Sequence, residues 1–484
     1  MIDCRRTPSA FMTPGRNAGL GMALAMVLGM ASTAASAKTT RPPNVILVVA
    51  DDLGVGDVGV YGGKVARTPN IDALAAGGVR LTDGHVAAPV CSPSRVALLS
   101  GRYQERYGYE FNPMRPGVET LPLDQKTLAD RMSERGYITG LIGKWHLGWR
   151  PEQRPDKRGF GSYFGMASGN RYFPTDFPGV ERISITGDDA ENPASGDARP
   201  KVVRDGQTVE INGNLTDAFT DEALAFIDRN RAKPFFLYLA YNAPHTPLEA
   251  DAARFARFDS SIPRDQRVLA AMVATLDDGI GRISAHLKTR GLERDTLVIF
   301  ISDNGCPLYL KGACNNAELL GGKRDLLQGG LRVPFILSWP GVLKPGLFKE
   351  PASTLDIAPT VLAAAGAPPT KDLEGVDLKP YLGGKKAGSP HDYIFWRASP
   401  SAAVRSGPWK LIRAKRADGA GFETFLFKVG DSQTETKDLA AANPSVVARL
   451  SKALDAWTAT LPEPRFQGRQ WTTDIAGKPM IQTF

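Results

Sequence analysis

The chain has 484 residues, of which 42% are hydrophobic and 23% charged, and its formal net charge is +8. This length allows a large core and more than one domain, and the composition is that of a globular protein, which excludes a disordered or fibrous chain. The 50 glycines and 36 prolines indicate many connecting loops, on which binding and catalytic residues are often carried.

The N-terminal segment has the pattern of a secretory signal. Three arginines accompany an apolar run over 20–31 that is too short to cross a bilayer, and a small-residue cleavage site follows at 35–37. We therefore predict a signal peptide over 1–37 and export to the periplasm or the medium. No later run is long and apolar enough to span a membrane, and we expect no nucleic-acid partner.

The charge of the mature chain is weakly informative. Removal of the leader takes away three arginines and one aspartate and leaves +6. A basic exported protein can attract polyanionic substrates over a distance, but an excess of this size is more simply an unremarkable surface. The oligomeric state stays open.

Buried strands alternate with helices over the first three quarters of the chain. Continuous runs of β-branched and aromatic residues predict strands at 43–50, 136–142, 234–239, 296–301 and 334–338. Apolar residues at helical spacing predict helices beginning near 68 and 95 and helices over 127–135, 217–229 and 270–287. Strands that are apolar on both faces are typical of a parallel sheet covered by helices. The pattern predicts an α/β fold with a large, mostly parallel sheet sandwiched by helices.

Two regions depart from this pattern. Residues 180–213 are polar and turn-rich, with a predicted hairpin over 203–209, and we interpret them as an insertion near the substrate side. After residue 385, short strand candidates precede a predicted helix over 445–457; they lie at 393–395, 402–405, 409–412 and 425–427. We predict a catalytic domain over 38–385 and a smaller C-terminal α+β domain over 386–484 with a short antiparallel sheet.

Polar residues follow four predicted strands, where chemistry collects in open α/β sheets. They are Asp51 and Asp52, Lys144 and His146, His245, and Asp303 and Asn304. Three carboxylates and an amide are hard oxygen donors that suit Ca²⁺ or Mg²⁺ better than zinc. Taken separately, each acidic pair is also compatible with a helix cap or turn. Together they predict a metal site.

The most informative motif is Cys91-Ser92-Pro93-Ser94-Arg95. A lone cysteine before an apolar helix is often a buried small hydrophobe. Arg95, one turn further on, could instead lower the thiol pKa and give an ordinary reactive cysteine. A third interpretation is a resemblance to the sulfatase signature, in which a cysteine stands two residues before proline-x-arginine.

The resemblance to type I sulfatases extends over about residues 42–460. It includes Gly143-Lys144-Trp145-His146-Leu147-Gly148 and the strings at 328–334, 354–360 and 409–412. The family includes arylsulfatases and carbohydrate sulfatases similar to N-acetylgalactosamine-6-sulfatase, and it belongs to the alkaline phosphatase superfamily, whose fold the resemblance therefore implies. Two departures could alter the rim of the pocket: Gln328 stands where many relatives have Glu, and Arg324 where Gly is common.

The resemblance implies a nucleophile and a metal. A dedicated maturation enzyme would oxidise Cys91 to formylglycine, whose hydrate attacks sulfur. Ca²⁺, with Mg²⁺ as the alternative, would be held by the modified Cys91 together with Asp51, Asp52, Asp303 and Asn304. Asp303 could also accept the proton of the nucleophile.

The resemblance also assigns roles to the remaining polar residues. Arg95 would fix the modified side chain, and Lys144 and Lys323 would contact the sulfate oxygens. His245 would contact the sulfate and protonate the leaving oxygen. His146 would accept the proton of the second hydroxyl when sulfate is expelled.

The substrate is predicted from weaker signals. The strings at 101–108 and 168–173 resemble those of bacterial carbohydrate sulfatases, and Arg171 with Tyr172 could grip a sugar that carries a second anion, or could simply brace loops. We expect a sulfated polysaccharide or oligosaccharide. The alternatives are small aromatic sulfates, phosphonate or phosphodiester hydrolysis on the same scaffold, and a non-catalytic glycan-binding protein.

Two cysteines remain besides Cys91 in the mature chain, Cys306 and Cys314. They are separated by one loop in an oxidising compartment, so they could form a disulfide or stay reduced.

Overall fold

The computed structural model describes residues 41–113, 121–168, 171–183, 201–430 and 434–483. The predicted signal peptide lies outside these residues. The strands in chain order are β1 (Asn44–Ala50), β2 (Val79–Leu81), β3 (Gly84–His85), β4 (Ile138–Lys144), β5 (Ser162–Met166), β6 (Val180–Ile183), β7 (Lys201–Arg204), β8 (Gln207–Glu210), β9 (Phe235–Ala240), β10 (Leu248–Asp251), β11 (Thr296–Ser302), β12 (Phe335–Ser338), β13 (Gly346–Phe348), β14 (Ala352–Ser353), β15 (Ile394–Ala398), β16 (Ser401–Ser406), β17 (Trp409–Arg416), β18 (Phe422–Lys428), β19 (Gln470–Ile475) and β20 (Lys478–Thr483).

The α-helices within the described residues vary widely in length. They are α1 (Pro69–Ala76), α2 (Cys91–Ser100), α3 (Leu128–Ser133), α4 (Leu215–Asn230), α5 (Ala252–Phe255), α6 (Arg264–Thr289), α7 (Gln328–Leu331), α8 (Ile357–Ala364), α9 (Lys379–Leu382) and α10 (Pro444–Thr458). The predicted helices are all present. One boundary differs: the helix predicted to begin near 95 begins at Cys91, the first residue of α2.

A ten-stranded sheet has the order β13-β2-β12-β11-β1-β9-β4-β5-β7-β8. The five strands from β11 to β5 are parallel, whereas β12 runs antiparallel to β11. Every residue of the central strand β1 is buried, and alternate side chains pack into cores on opposite faces. Helices α4 and α6 contribute to one core and α2, α3 and α8 to the other. This is the predicted α/β sandwich.

The predicted hairpin is also present, as β7 and β8. It extends the large sheet at its edge, because β7 pairs with β5. The neighbouring residues 184–200 of the predicted insertion lie outside the described residues.

The C-terminal region forms a second, antiparallel sheet in the order β15-β16-β17-β20-β19, with β18 also paired to β17. This confirms the expected short antiparallel sheet. Helix α10 packs its apolar face on it through Leu450, Leu454 and Trp457. The strands β19 and β20 were not predicted, since they are largely polar. Within the described part of the chain, no helix has the length and apolar character that a bilayer crossing requires.

Candidate active site

The carboxyl ends of β1 and β11 lie side by side and carry the predicted acidic residues. The register pairs the last residues of the two strands, so Asp51-Asp52 and Asp303-Asn304 leave the sheet at the same level. The Asp303 N–H donates to the Ala50 carbonyl at 3.0 Å, and the Asp52 N–H donates to Asp303 Oδ1 at 3.2 Å. The strand register therefore brings the two predicted pairs together.

The thiol of Cys91 faces this acidic cluster. Its Sγ lies 3.4 Å from Asp51 Oδ1 and 3.8 Å from Asp52 Oδ1. Burial, followed by the negative charge of Asp303, raises the pKa of Cys91 well above its ordinary value. The unmodified thiol therefore stays protonated, which disfavours the alternative of a reactive thiolate activated by Arg95.

Asp51 forms a close ionic pair with Lys144. Lys144 Nζ lies 2.6 Å from Asp51 Oδ2. Burial acts to raise the pKa of Asp51, but the charges of Lys144, His245 and Arg95 outweigh it and hold this pKa well below its ordinary value. Asp303 behaves in the opposite way, since burial and the charge of Asp51 raise its pKa to about 6. The carboxylates therefore repel one another across the cluster.

Arg95 contacts this cluster and is completely buried. Its Nε donates to Asp303 Oδ2 at 2.9 Å, and Nη1 donates to the Lys144 carbonyl at 3.1 Å. The nearest Asp51 oxygen is 3.7 Å away. These bonds hold a carboxylate of the cluster and the end of β4; the role of Arg95 toward the modified side chain of Cys91 stays a prediction.

Lys323 and His245 close the other side of the cluster. Lys323 Nζ lies 3.0 Å from Asp52 Oδ2 and 3.3 Å from His245 Nε2. The Nδ1 atom of His245 lies 2.7 Å from the Thr246 carbonyl, so Nε2 is the ring nitrogen that faces the cluster. Burial acts to lower the pKa of His245, but the charge of Asp52 outweighs it and the pKa is raised.

Lys144 and His146 differ in backbone conformation. Lys144 ends β4, whereas His146 has a φ of 61°, in the left-handed region that residues other than glycine seldom adopt. Asp52 shares this feature, with a φ of 65°. Burial, then the charges of Lys144 and Arg95, lower the pKa of His146 well below its ordinary value. Such backbone strain is typical of functional sites.

The carboxylate and amide oxygens of this cluster are hard donors, whereas the unmodified thiol of Cys91 and the imidazole of His245 are not. Asp51, Asp52, Cys91 and His245 each offer one ligand atom, and these four atoms lie within 4.8 Å of one another. Asn304 Nδ2 donates to Asp52 Oδ1 at 2.7 Å, while the buried Asn304 Oδ1 has no hydrogen-bond partner among the described residues. Clustered carboxylates beside an uncommitted amide oxygen are the ligands that Ca²⁺ prefers.

Comparison with known proteins identifies the scaffold. The model of the sulfatase family matches residues 43–367. The chain belongs to the sulfatase family. It is 36% identical to human arylsulfatase A over 397 residues, covering 78% of this chain and 76% of the relative. It is 34% identical to N-acetylgalactosamine-6-sulfatase of Canis lupus familiaris over 411 residues, covering 81% and 76% respectively.

Solved structures agree with this assignment. The fold matches that of Ps i-CgsB in complex with k-i-k-neocarrahexaose with a TM-score of 0.78 and 34% identity, covering 88% of this chain and 95% of that one. The protein is therefore a sulfuric ester hydrolase, as the signature at Cys91 predicts.

The predicted substrate residues of this sulfatase lie on the loop before β6. Arg171 Nη1 binds Glu249 Oε1 at 2.7 Å. The buried Tyr172 hydroxyl donates at 2.5 Å and 2.8 Å to the carbonyls of Asn242 and His245. Contact of either residue with substrate stays a prediction, but the bonds of Tyr172 are those of a brace for the loop that carries His245.

Sequence reasoning missed Glu249, which organises this loop. It is buried in β10, and besides Arg171 it accepts the backbone N–H of Tyr172 at 2.9 Å. Its only signal in the sequence is an acidic residue between apolar neighbours of a short strand, which would require a buried partner.

The two departures from the family pattern lie in different surroundings. Gln328 is buried, and its Oε1 lies 3.0 Å from His85 Nε2, so its side chain is held in the interior. Arg324 follows Lys323 directly and has a φ of 85°, which explains why glycine suits this position. Its N–H donates to the carbonyl of Pro89 at 2.8 Å.

The loop between Asn304 and Lys323 is cross-linked. Cys306 and Cys314 form a disulfide, which settles the open alternative for these cysteines. The Cys306 carbonyl accepts the N–H of Lys323 at 3.1 Å and the side-chain amide of Asn316 at 3.0 Å. The loop thus fixes the distance between a candidate metal ligand and a candidate sulfate contact.

Proposed function

We propose that this sulfatase hydrolyses sulfate monoesters by S–O cleavage, with Cys91 as the nucleophile after its conversion to formylglycine by a maturation enzyme. The observation that carries the proposal is the 3.4 Å approach of Cys91 Sγ to Asp51 Oδ1, within a buried cluster that also contains two lysines. The hydrated aldehyde supplies two hydroxyls on one carbon, one to attack sulfur and one to expel sulfate as the aldehyde re-forms.

Ca²⁺ is the cofactor that we propose, with Mg²⁺ as the alternative. Asp51, Asp52, Asp303 and Asn304 would hold it beside the modified Cys91. When bound, such an ion neutralises negative charge on sulfate oxygens and orients the nucleophile. The repulsion among the buried carboxylates and the uncommitted Asn304 Oδ1 support this assignment.

Lys144 and Lys323 stabilise the sulfate and its transition state. Both ammonium groups are buried in the cluster, where a charge acts more strongly than in water. Attack forms a bond between sulfur and an oxygen of the modified Cys91 and breaks the bond between sulfur and the substrate alcohol. Negative charge that develops on oxygen in this step is met by positive charges already in place.

The two histidines move protons in opposite directions. The charge of Asp52 favours the protonated form of His245, so its Nε2 can donate a proton to the departing alcohol oxygen. His146 has a depressed pKa and is neutral near pH 7. It can therefore accept the proton of the second hydroxyl when the bond between carbon and the sulfate oxygen breaks.

We propose sulfated polysaccharides or their oligosaccharides as the substrates, and small aromatic sulfates as the alternative. The solved relative Ps i-CgsB, whose complex contains k-i-k-neocarrahexaose, supports a glycan. The net positive charge of the chain is compatible with a polyanionic substrate.

Sulfate release tests this proposal. Matured, calcium-loaded protein is incubated with an aryl sulfate and with sulfated galactan, fucan and glycosaminoglycan oligosaccharides, and sulfate is measured by ion chromatography. We expect release from one glycan above that from the aryl ester, and conversion of Cys91 in the peptide mass spectrum. Release from none of them by converted protein, or faster hydrolysis of a phosphonate monoester, would overturn the proposal.

A further inference from the structure

A large cleft lies at the sheet edge that carries the candidate active site. Its volume is about 880 Å³, and its lining includes Lys64, Arg80, Arg332, Asp57 and Glu318. Ligand pockets commonly have volumes of about 300–1,000 Å³. Cys91 is not among the lining residues, and a cleft of this size has room for a sulfated sugar in addition to the ester at Cys91.

The strand register places this cleft relative to Cys91. Leu81, the last residue of β2, pairs with Phe335 of β12, which pairs with Ile301 of β11. The carboxyl end of β2 therefore lies at the same sheet edge as Asp303. Two strand spacings separate β2 from β11 and three separate it from β1, which corresponds to about 10 and 14 Å at about 4.8 Å per spacing.

Two walls of the cleft are formed by segments that are adjacent in the chain to candidate-site residues. Val55 to Asp57 follow Asp52 after a turn, and Asn315 to Leu319 precede Lys323 on the cross-linked loop. These two walls are joined, because the N–H of Gly56 donates to the Asn315 carbonyl at 2.9 Å. The cleft therefore adjoins the two segments that lead to Asp52 and to Lys323, although neither of these residues lines it.

The cleft carries a guanidinium in a defined position. Arg80 is half-buried on β2, its Nη1 donates to the Val60 carbonyl, and its guanidinium lies over the Tyr61 ring at 5.3 Å. The position of the Tyr61 ring is fixed by a hydrogen bond, because its hydroxyl accepts the N–H of Phe335 at 2.8 Å. Fixed guanidinium groups suit planar, bidentate recognition of oxyanions such as sulfate.

The charges of the cleft favour an anion. Lys64 and Arg80 contribute positive charge, and Arg332 also lines the cleft while its Nη1 donates to the Gly430 carbonyl at 3.0 Å; the acids of the lining are Asp57 and Glu318. Asp57 is buried, and its Oδ2 accepts the N–H of Asn315 at 3.0 Å, so it is turned into the loop. Glu318 is exposed at the rim.

We propose that this cleft is an accessory subsite for a second sulfate group, on a sugar next to the one whose sulfate is hydrolysed, with Arg80 as its main contact. This inference rests on the proposed function and narrows it: the substrate is a multiply sulfated oligosaccharide that extends from Cys91 to Arg80. A small aromatic sulfate is too short to reach the cleft, and a monosulfated sugar has no second sulfate group to place in it.

The test compares a sulfated galactan hexasaccharide with the disaccharide of the same polymer. The variants are Arg80→Gln, which keeps a hydrogen-bond donor but removes the charge, and Lys64→Glu, which reverses an exposed charge. Lys233→Glu is the matched control, because Lys233 is an exposed lysine just before β9, at the opposite edge of the sheet. The readout is the ratio of kcat/KM for the hexasaccharide to that for the disaccharide.

We expect wild-type enzyme to prefer the hexasaccharide and Arg80→Gln to lower the ratio about tenfold, mainly through KM, since binding far from the reacting bond is lost. Lys64→Glu should lower it less, Lys233→Glu should leave it as in wild type, and salt should raise KM more for the hexasaccharide. Equal ratios in all four proteins, with both saccharides hydrolysed, overturn the subsite and leave the proposed function standing. Hydrolysis of an aryl sulfate but of neither saccharide overturns the glycan assignment and the subsite with it.

Discussion

Lys144 Nζ lies 2.6 Å from Asp51 Oδ2, and both side chains are buried. This ion pair joins the end of β4 to the end of β1, two strands that β9 separates in the sheet. It holds Asp51 ionised and also fixes an ammonium group beside Cys91. This one contact therefore both links two strands of the sheet and positions charged groups of the candidate site.

Breaking this pair should be costly. Replacement of Lys144 by Met leaves a buried carboxylate without its partner and should lower the free energy of unfolding by about 3–5 kcal/mol in the presence of a chelator. Urea unfolding measures this, and added calcium should restore part of the loss. The control is Lys126→Met, since Lys126 and Glu134 form an exposed pair that should contribute at most about 1 kcal/mol. Equal effects of the two substitutions would argue against a buried ionic pair.

Calcium should stabilise the folded protein. A ligand that binds only the folded state at a hundred times its Kd adds about 2.7 kcal/mol to the free energy of unfolding. We therefore expect a higher Tm in calcium than in chelator, measured by scanning calorimetry. Asn304→Ala removes the uncommitted amide oxygen and should reduce this shift. A Tm that is indifferent to calcium and to this substitution would contradict the proposed metal site.

Cys91→Ser should abolish turnover. A serine hydroxyl can be sulfated, but it has no second hydroxyl on the same carbon to expel the sulfate. We expect no steady-state sulfate release, and intact mass spectrometry should detect either the unmodified variant or a trapped sulfated form. Full turnover by Cys91→Ser, or unmodified Cys91 in fully active wild-type protein, would exclude the aldehyde mechanism.

Asp57 should make stability depend on pH. Burial raises the pKa of Asp57 to about 7, whereas an unfolded aspartate titrates near about 4. Because the folded pKa is the higher one, its contribution to stability is full below pH 4 and is lost as pH rises to 7, by up to about 4 kcal/mol. The side chain of Asp57→Asn cannot ionise. The free energy of unfolding of this variant, relative to that of wild type, should therefore increase between about pH 4 and pH 7. Parallel stability curves in urea would contradict this.

Substitutions of Arg171 and Glu249 distinguish a role in substrate binding from a role in supporting the loop. If Arg171 contacts the glycan, Arg171→Ala should lower kcat/KM more on a sulfated oligosaccharide than on an aryl sulfate. Glu249→Gln instead weakens the acceptor of buried N–H groups, so it should cost about 1–3 kcal/mol of stability and lower both activities alike. Equal losses on both substrates for Arg171→Ala would assign Arg171 to loop support alone.

The strand and helix pattern could be predicted because its signals are local. Apolar runs of five to eight residues identified the central strands, and polar residues at their ends indicated the edge at which chemistry collects. The strands β19 and β20 could not be predicted in the same way, because their largely polar residues are ordered by pairing with each other and with β17.

The sequence by itself determined the fold class, the family and the types of residue in the site, because each depends on motifs a few residues long. Only the tertiary structure decided which charges pair. Lys144 meets Asp51 across 93 positions of the chain, and Arg171 pairs with Glu249, which lies 78 positions further on. It likewise decided that Arg80 lines a cleft two strands from Asp303. Such contacts follow from strand order and register, which bring distant residues together and leave no local pattern in the chain.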